Sequence, residues 1–274
     1  MARVIDTREL TPVTKLLVLE APLVARHAEP GQFVIVRVDA HGERVPISLT
    51  DFDAIAGTIT VVVQQVGKTS GLICALEPGD EVLDLAGPLG RPVDLPAEGH
   101  AVLVAGGFGA GAIYPLAREL QARPVLVSVI VGARTAELVV LRDLLEPACD
   151  EFLVCTDDGS LGHHGFTAQL LAERLEGGAQ FTDCFAVGPM AMMRAVAEVT
   201  RPYGLRTQVS LDPIMLDGTG MCGACRVTVR GETKLACVDG PFFDAHAVDF
   251  DEAVVRSKMY VDEERAAAAL VGAR

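Results

Sequence analysis

Three of the seven cysteines fall within sixteen positions, at Cys222, Cys225 and Cys237, on a stretch rich in glycine. The run Asp217-Gly218-Thr219-Gly220-Met221-Cys222-Gly223-Ala224-Cys225 sets two thiols on one loop, and Cys237 follows twelve residues after Cys225. For the three to meet, the chain must turn back on itself, so a hairpin is predicted with strands at 225–229 and 233–237. Gly218, Gly220 and Gly223 let backbone N–H groups turn inward and donate to sulfur, which also tunes a bound cluster. Two metal chemistries suit such a loop: a [2Fe-2S] cluster gripped from two sides, and zinc in a closed tetrahedron. A fourth cysteine is absent, and the nearest following histidine is His246, past the hairpin. Asp217, five positions before Cys222, supplies a carboxylate able to ligate iron. The expected site is therefore a [2Fe-2S] cluster on Asp217, Cys222, Cys225 and Cys237, with zinc or free thiols as the alternatives.

The other cysteines, Cys74, Cys149, Cys155 and Cys184, are scattered beside apolar residues and read as small core side chains. An odd total argues against a disulfide framework. Lys and Arg number 23 against 37 Asp and Glu, a net charge of −14, which repels nucleic acid phosphates and anionic headgroups. With no Trp and three Tyr there is little aromatic surface for stacking bases. No apolar run approaches the ~18 residues of a membrane span, and residues 1–30 lack the pattern of a secretory leader. Neither nucleic acid nor a membrane is an expected partner, and the expected location is the cytoplasm.

Along the chain the periodicity changes twice. Residues 1–97 show short β segments at 15–19, 32–38, 47–49, 58–66 and 81–85, separated by turn pairs such as Pro30-Gly31 and Pro78-Gly79, a pattern of an antiparallel barrel or sandwich. A short helix is expected within 68–76. Residues 98–206 alternate strands (101–105, 125–131, 151–156, 184–187) with helices (112–122, 136–146, 167–175, 190–200), which implies right-handed crossovers and an open parallel sheet. Residues 207–274 hold the cysteine loop, its hairpin and an acidic helix. The expected fold class is α/β plus β: a barrel, a parallel-sheet dinucleotide-binding domain and a small C-terminal cluster module.

In the second segment Gly106-Gly107-Phe108-Gly109 follows a strand and opens a helix. Glycines there permit positive φ and let backbone N–H groups approach a pyrophosphate at a helix N-terminus, or simply allow tight packing. Val187-Gly188-Pro189-Met190 puts a second close-approach glycine on the same carboxyl edge, where open α/β sheets bind ligands. Gly132 and Arg134 end the second strand and Asp157 the third. Arg134 meets a dinucleotide oxygen or solvent; Asp157 accepts from ribose hydroxyls or caps a turn. NAD(H) and NADP(H) are not separated by these residues.

A barrel carrying Arg44-Val45-Pro46-Ile47-Ser48, then Val62-Val63-Gln64 and Gly67-Lys68-Thr69-Ser70, followed by the Gly106-Gly107-Phe108-Gly109 domain, resembles the ferredoxin-NADP reductase superfamily over nearly the whole chain. The resemblance implies FAD on the barrel through Pro46, Ile47, Ser48, Thr69 and Ser70, with Val62, Val63, Gln64 and Gly67 beside them. Two departures stand out: Arg44 comes one residue early, and Ile47 replaces an aromatic that often flanks the ring. With the cysteine loop, Ala236-Cys237-Val238-Asp239-Gly240-Pro241 and Asp249-Phe250-Asp251 included, the chain resembles the small subunit of NADH-dependent reduced ferredoxin:NADP+ oxidoreductase and its sulfide dehydrogenase relatives. In that family three cysteines and one aspartate hold the cluster. The electron-transfer subunit of dihydroorotate dehydrogenase is similar but carries four cysteines. The resemblance implies relay between NAD(H), FAD and a [2Fe-2S] cluster, and a larger partner with its own flavin and [4Fe-4S] clusters that bifurcates electrons. The alternatives are a dihydroorotate dehydrogenase partner and a non-redox scaffold holding structural zinc. Hydride transfer needs no protein acid or base, so no catalytic side chain is expected.

Overall fold

The computed structural model describes residues 1–272. In the first segment come β1 (Ala2–Thr11), β2 (Thr14–Glu20), α1 (Pro22–His27), β3 (Phe33–Arg37), β4 (Val45–Asp53), β5 (Thr58–Gln64), α2 (Lys68–Cys74), β6 (Glu81–Val82) and β7 (Asp84–Leu89). The strands form one antiparallel sheet in the order β6-β1-β2-β5-β4-β3-β7, curled round an apolar interior that includes Leu17, Val34, Leu49, Ile59 and Val61. β1 escapes the sequence pattern because most of its ten residues are polar and only Ala2, Val4 and Thr11 are buried.

The second segment contains β8 (Gly99–Gly106), α3 (Gly109–Gln121), β9 (Val125–Ala133), α4 (Arg142–Leu145), β10 (Glu151–Thr156), β11 (His163–His164), α5 (Thr167–Glu176), β12 (Asp183–Val187), α6 (Met190–Thr200) and β13 (Arg206–Ser210). Both faces of this sheet are covered, so β8 from Ala101 on and β12 from Cys184 on carry no polar side chain. Alternate residues serve opposite layers: Ala101, Leu103 and Ala105 pack with α3, while Val102 and Val104 join the core under α5 and α6. One expected helix is corrected. Across 136–146 the chain makes a 3-10 turn (Ala136–Leu138), passes through Leu141 at φ 58, and only then forms the four-residue α4. Buried Val140 and Leu141 pull this stretch into the core beside Leu145, breaking the continuous helix.

The last segment holds β14 (Arg226–Val229), β15 (Glu232–Leu235), α7 (Ala236–Asp239), β16 (Phe242–Asp244), α8 (Phe250–Ser257) and α9 (Val261–Gly272). β14 and β15 form the predicted hairpin. β16 returns to pair antiparallel with β13, closing the second sheet in the order β11-β10-β9-β8-β12-β13-β16. No helix among the described residues is long and apolar enough to cross a membrane.

The two larger sheets meet where α3 lies against β4. Gly111 is close enough that a Cβ would stand 2.8 Å from Thr50 Oγ1 and 3.1 Å from Val62. Arg118 of α3 pairs with Asp51 and stacks over Phe52.

Candidate functional site

A cavity of about 370 Å³ opens along this junction. Its barrel wall carries Pro46, Ile47 and Ser48 of β4, Val62, Val63 and Gln64 of β5, and Gly67, Thr69 and Ser70 at the start of α2. The polar groups there are differently employed. Ser70 Oγ accepts from the Val66 and Gly67 N–H groups, both at 2.9 Å, and so fixes the turn into α2. Thr69 Oγ1 donates to Glu43 at 2.6 Å. Arg44 does not line the cavity; its half-exposed guanidinium lies 3.9 Å from Asp84.

Sequence reasoning missed Thr50. The β4–β5 register shifts between Leu49 and Asp51, so Thr50 sits in a bulge, 1% exposed, on the cavity wall. Its Oγ1 has no hydrogen-bond partner among the described residues. A buried orphan hydroxyl is costly unless something fills the space beside it with a polar atom.

The opposite wall comes from the carboxyl edge of the parallel sheet. The chain order reverses between β8 and β12, the crevice where such sheets take ligands. Of the glycines there, Gly106 and Gly109 serve packing: a Cβ on Gly109 would lie 2.2 Å from the Val187 carbonyl, and one on Gly106 2.7 Å from Met192 Sδ and 2.9 Å from Pro189. Gly188 is pressed against Gly106, and Gly132 against Thr167. Gly107 is different, with φ +56 and nothing within 4 Å of its Cβ position; its own N–H donates to the Gly132 carbonyl at 2.9 Å, so a phosphate over it would meet the N–H groups of Phe108 and Gly109 at the N-terminus of α3. Gly109 and Gly188 line the cavity; Gly106, Gly107, Pro189 and Met190 do not. Arg134 and Asp157 are exposed on the same edge, at the ends of paired β9 and β10. Asp157 donates its N–H to the Ala133 carbonyl at 3.0 Å.

Ser210, Leu211, Asp212 and Met215 extend this wall from the end of β13. Asp212 was also missed, because β13 itself was not anticipated. It is open to the cleft, yet burial by surrounding protein pushes its carboxyl up to about 6.

Two residues beyond Met215 the sulfur loop begins, on glycines with φ of +74 (Gly218), +87 (Gly220) and +65 (Gly223). Gly218 packs on the barrel, where a Cβ would stand 2.7 Å from Leu89 and 2.8 Å from Ile35. The four expected donors fall into two pairs. Asp217 Oδ1 accepts from Cys222 Sγ at 3.3 Å, and buried Cys225 donates to buried Cys237 with sulfurs 3.2 Å apart. Asp217 also accepts from the N–H groups of Thr219, Met221 and Cys222. Desolvation pushes this carboxyl up, but those bonds outweigh it and hold it at about 2. Burial, then the neighbouring Cys225, push the Cys237 thiol up to about 12, so Cys237 stays protonated until a cation takes the proton's place. Among the described residues no three His, Cys, Asp or Glu side chains converge on one ion position. His246 is engaged elsewhere, 3.0 Å from Thr200 Oγ1. Of the scattered cysteines, Cys155 and Cys184 are buried, Cys74 and Cys149 half-buried, and burial raises all four thiols.

Residues 212–249 match the model of the iron-sulfur cluster binding domain of dihydroorotate dehydrogenase B. The dihydroorotate dehydrogenase B (NAD(+)) electron transfer subunit homolog of Thermotoga maritima is 41% identical, over 90% of this chain and 87% of that protein. The chain belongs to the dihydroorotate dehydrogenase B electron transfer subunit family. A structure described for flavin-based electron bifurcation via NADH-dependent reduced ferredoxin-NADP oxidoreductase superposes with a TM-score of 0.95 at 36% identity, covering 100% of this chain and 98% of that one. The ferredoxin reductase in carbazole 1,9a-dioxygenase shares the fold, with a TM-score of 0.64 at 22% identity over 74% of this chain and 65% of that one. The family is one of electron-transfer, iron-sulfur flavoproteins, and both expected resemblances and the expected fold class hold.

Proposed function

We propose that this chain relays electrons between a nicotinamide dinucleotide, FAD and a [2Fe-2S] cluster, and passes them to or from a larger partner subunit. The observation that carries the reading is continuity: Ser210, Leu211, Asp212 and Met215 wall the cleft, and the same segment runs straight into the sulfur loop. Two residues of chain span at most about 7 Å, so cleft and loop are adjacent.

The work divides as residues 1–97 for flavin, 98–206 for the dinucleotide and 207–274 for the cluster. Flavin supplies the conversion between two-electron hydride transfer and the one-electron steps of a cluster. The residues fit it: β4 and β5 offer an apolar wall, Thr50 an unused hydroxyl, and α2 a turn already braced by Ser70. Gly107 leaves room for a pyrophosphate, and Gly109 and Gly188 bring the dinucleotide edge to the cleft. The two donor pairs suit two irons, one pair each; a zinc tetrahedron needs all four donors round one ion. Cys225 and Cys237 would hold one iron, Asp217 and Cys222 the other. The free thiols of this subunit suit a cytoplasmic setting.

Likeness over the whole chain to the electron-bifurcation structure favours a partner with its own flavin and [4Fe-4S] clusters. The second reading, a dihydroorotate-oxidising partner, rests on the names of its relatives. Anaerobic titration of the purified subunit with NADH tests the relay: flavin absorbance at about 450 nm bleaches first and the broad cluster bands follow. Bleaching of neither contradicts it. Co-purification from the native host with a subunit that reduces ferredoxin from NADPH selects the first partner; oxidation of dihydroorotate selects the second.

A further inference from the structure

We infer that Asp212 lets this chain tell the cationic nicotinamide ring of NAD+ from the neutral ring of NADH, its carboxylate favouring the oxidised form. The inference rests on the nicotinamide reading of the cleft. Among the described residues the charged groups that line the cavity are Glu43 and Lys68 on the barrel side, Glu264 on α9, and Asp212. On the dinucleotide wall Asp212 stands alone among neighbours such as Phe108, Val187, Gly188 and Leu211, which carry no charge. Its place follows from the sheet. Register pairs Ala186 of β12 with Val209 of β13, so Gly188 and Leu211 are level at the carboxyl edge and Asp212 is the next residue out. A nicotinamide that enters over Gly188 to reach the flavin wall passes this carboxylate.

The carboxylate has no structural employment. Among the described residues no ion pair and no side-chain hydrogen bond involves it, and its own backbone N–H is the one group that favours its charge. A carboxylate set at the mouth of a mainly apolar cleft, exposed yet without a partner, is poorly compensated by its surroundings, and they push its pKa up to about 6. Near neutral pH the group is nonetheless mainly ionised. A cation delivered by the ligand compensates that charge, whereas a neutral ring does not. The bound couple is therefore biased toward NAD+. Repulsion between Asp212 and the dinucleotide phosphates acts on both forms equally and cancels in the ratio of their affinities.

The test is anaerobic titration of the flavin-loaded full chain at pH 8 with two probes that transfer no hydride to it, NAD+ and 1,4,5,6-tetrahydro-NADH, whose ring is neutral. Binding is read from perturbation of the flavin spectrum and from calorimetry. In Asp212→Asn the affinity ratio of NAD+ to the tetrahydro probe is expected to fall by about fivefold or more, the scale of one charge pair several ångströms apart at protein dielectric. Asp212→Glu, which keeps the charge, should stay within about twofold of wild type, and Asp212→Ser gives a second uncharged variant. An unchanged ratio in the uncharged variants, with both probes still binding, overturns this inference and leaves the nicotinamide reading standing. Failure of both probes to bind wild type overturns the two together.

Discussion

The sulfur loop and the cleft are neighbours along the chain, with Met215 on one and Asp217 on the other, yet they are assembled in opposite ways. The loop is local: Asp217 accepts from Thr219, Met221 and Cys222, all within five residues, and Cys222 is exposed. The cleft is composite. Its walls come from β4, β5, α2, α3, β12 and the end of β13, and most of its surface is apolar side chain. In the loop, function follows from spacing and glycine torsions. In the cleft it follows from how two sheets are pressed together, so its sensitive positions are packing glycines and stranded polar groups.

If that contrast is right, the two regions fail independently. Cys225→Ser or Cys237→Ser breaks the buried sulfur pair, and bound iron and sulfide should fall by about tenfold or more, while flavin per chain stays near its wild-type value. Metal analysis and absorbance read both at once; loss of flavin together with iron would show the regions to be one unit.

Within the cleft, Gly109→Ala drives a Cβ to 2.2 Å from the Val187 carbonyl, and a loss of about 3 kcal/mol or more in unfolding free energy is expected. Gly107→Ala meets open space and suffers only its positive φ, about 1 kcal/mol. Denaturant unfolding of both separates the packing glycine from the approach glycine; equal losses would erase the distinction. Thr50→Val removes the orphan hydroxyl. Flavin affinity, measured by equilibrium dialysis, should fall by about tenfold, and the flavin-free protein should be no less stable.

The smallest effect concerns Asp212. Its folded pKa, about 6, lies above the ordinary 3.8, so the folded state holds the proton more tightly than the unfolded one. The resulting cost is absent below about pH 4 and grows as pH rises through 6. Asp212→Asn should therefore stabilise the flavin-free protein by about 1 kcal/mol at pH 8, discounted for solvent in the open cleft, and by nothing near pH 4. Parallel melts at the two pH values check this.

The loop was legible in the sequence because Asp217 is fixed by residues within five positions of it and Cys237 is returned to Cys225 by a single short hairpin. Parts of the second segment were legible too, since the strand β10 and the helix α6 run over the residues their periodicity marks. β1 was hidden by its charged outer face and β13 by the change in character near Thr207. Thr50 was invisible for another reason: a bulge inverts the face that alternation assigns. Nor does spacing reveal that Gly106 and Gly109 pack while Gly107 stays open. Arg44 shows the converse, a motif residue whose side chain lies beside Asp84, off the cleft.

The decisive number is the metal content of the anaerobically purified chain. Donors arranged as Asp217 with Cys222 and Cys225 with Cys237 predict two irons and two acid-labile sulfides per chain, the composition of a [2Fe-2S] centre. One zinc per chain with no sulfide would contradict the paired arrangement and remove the cluster from the relay.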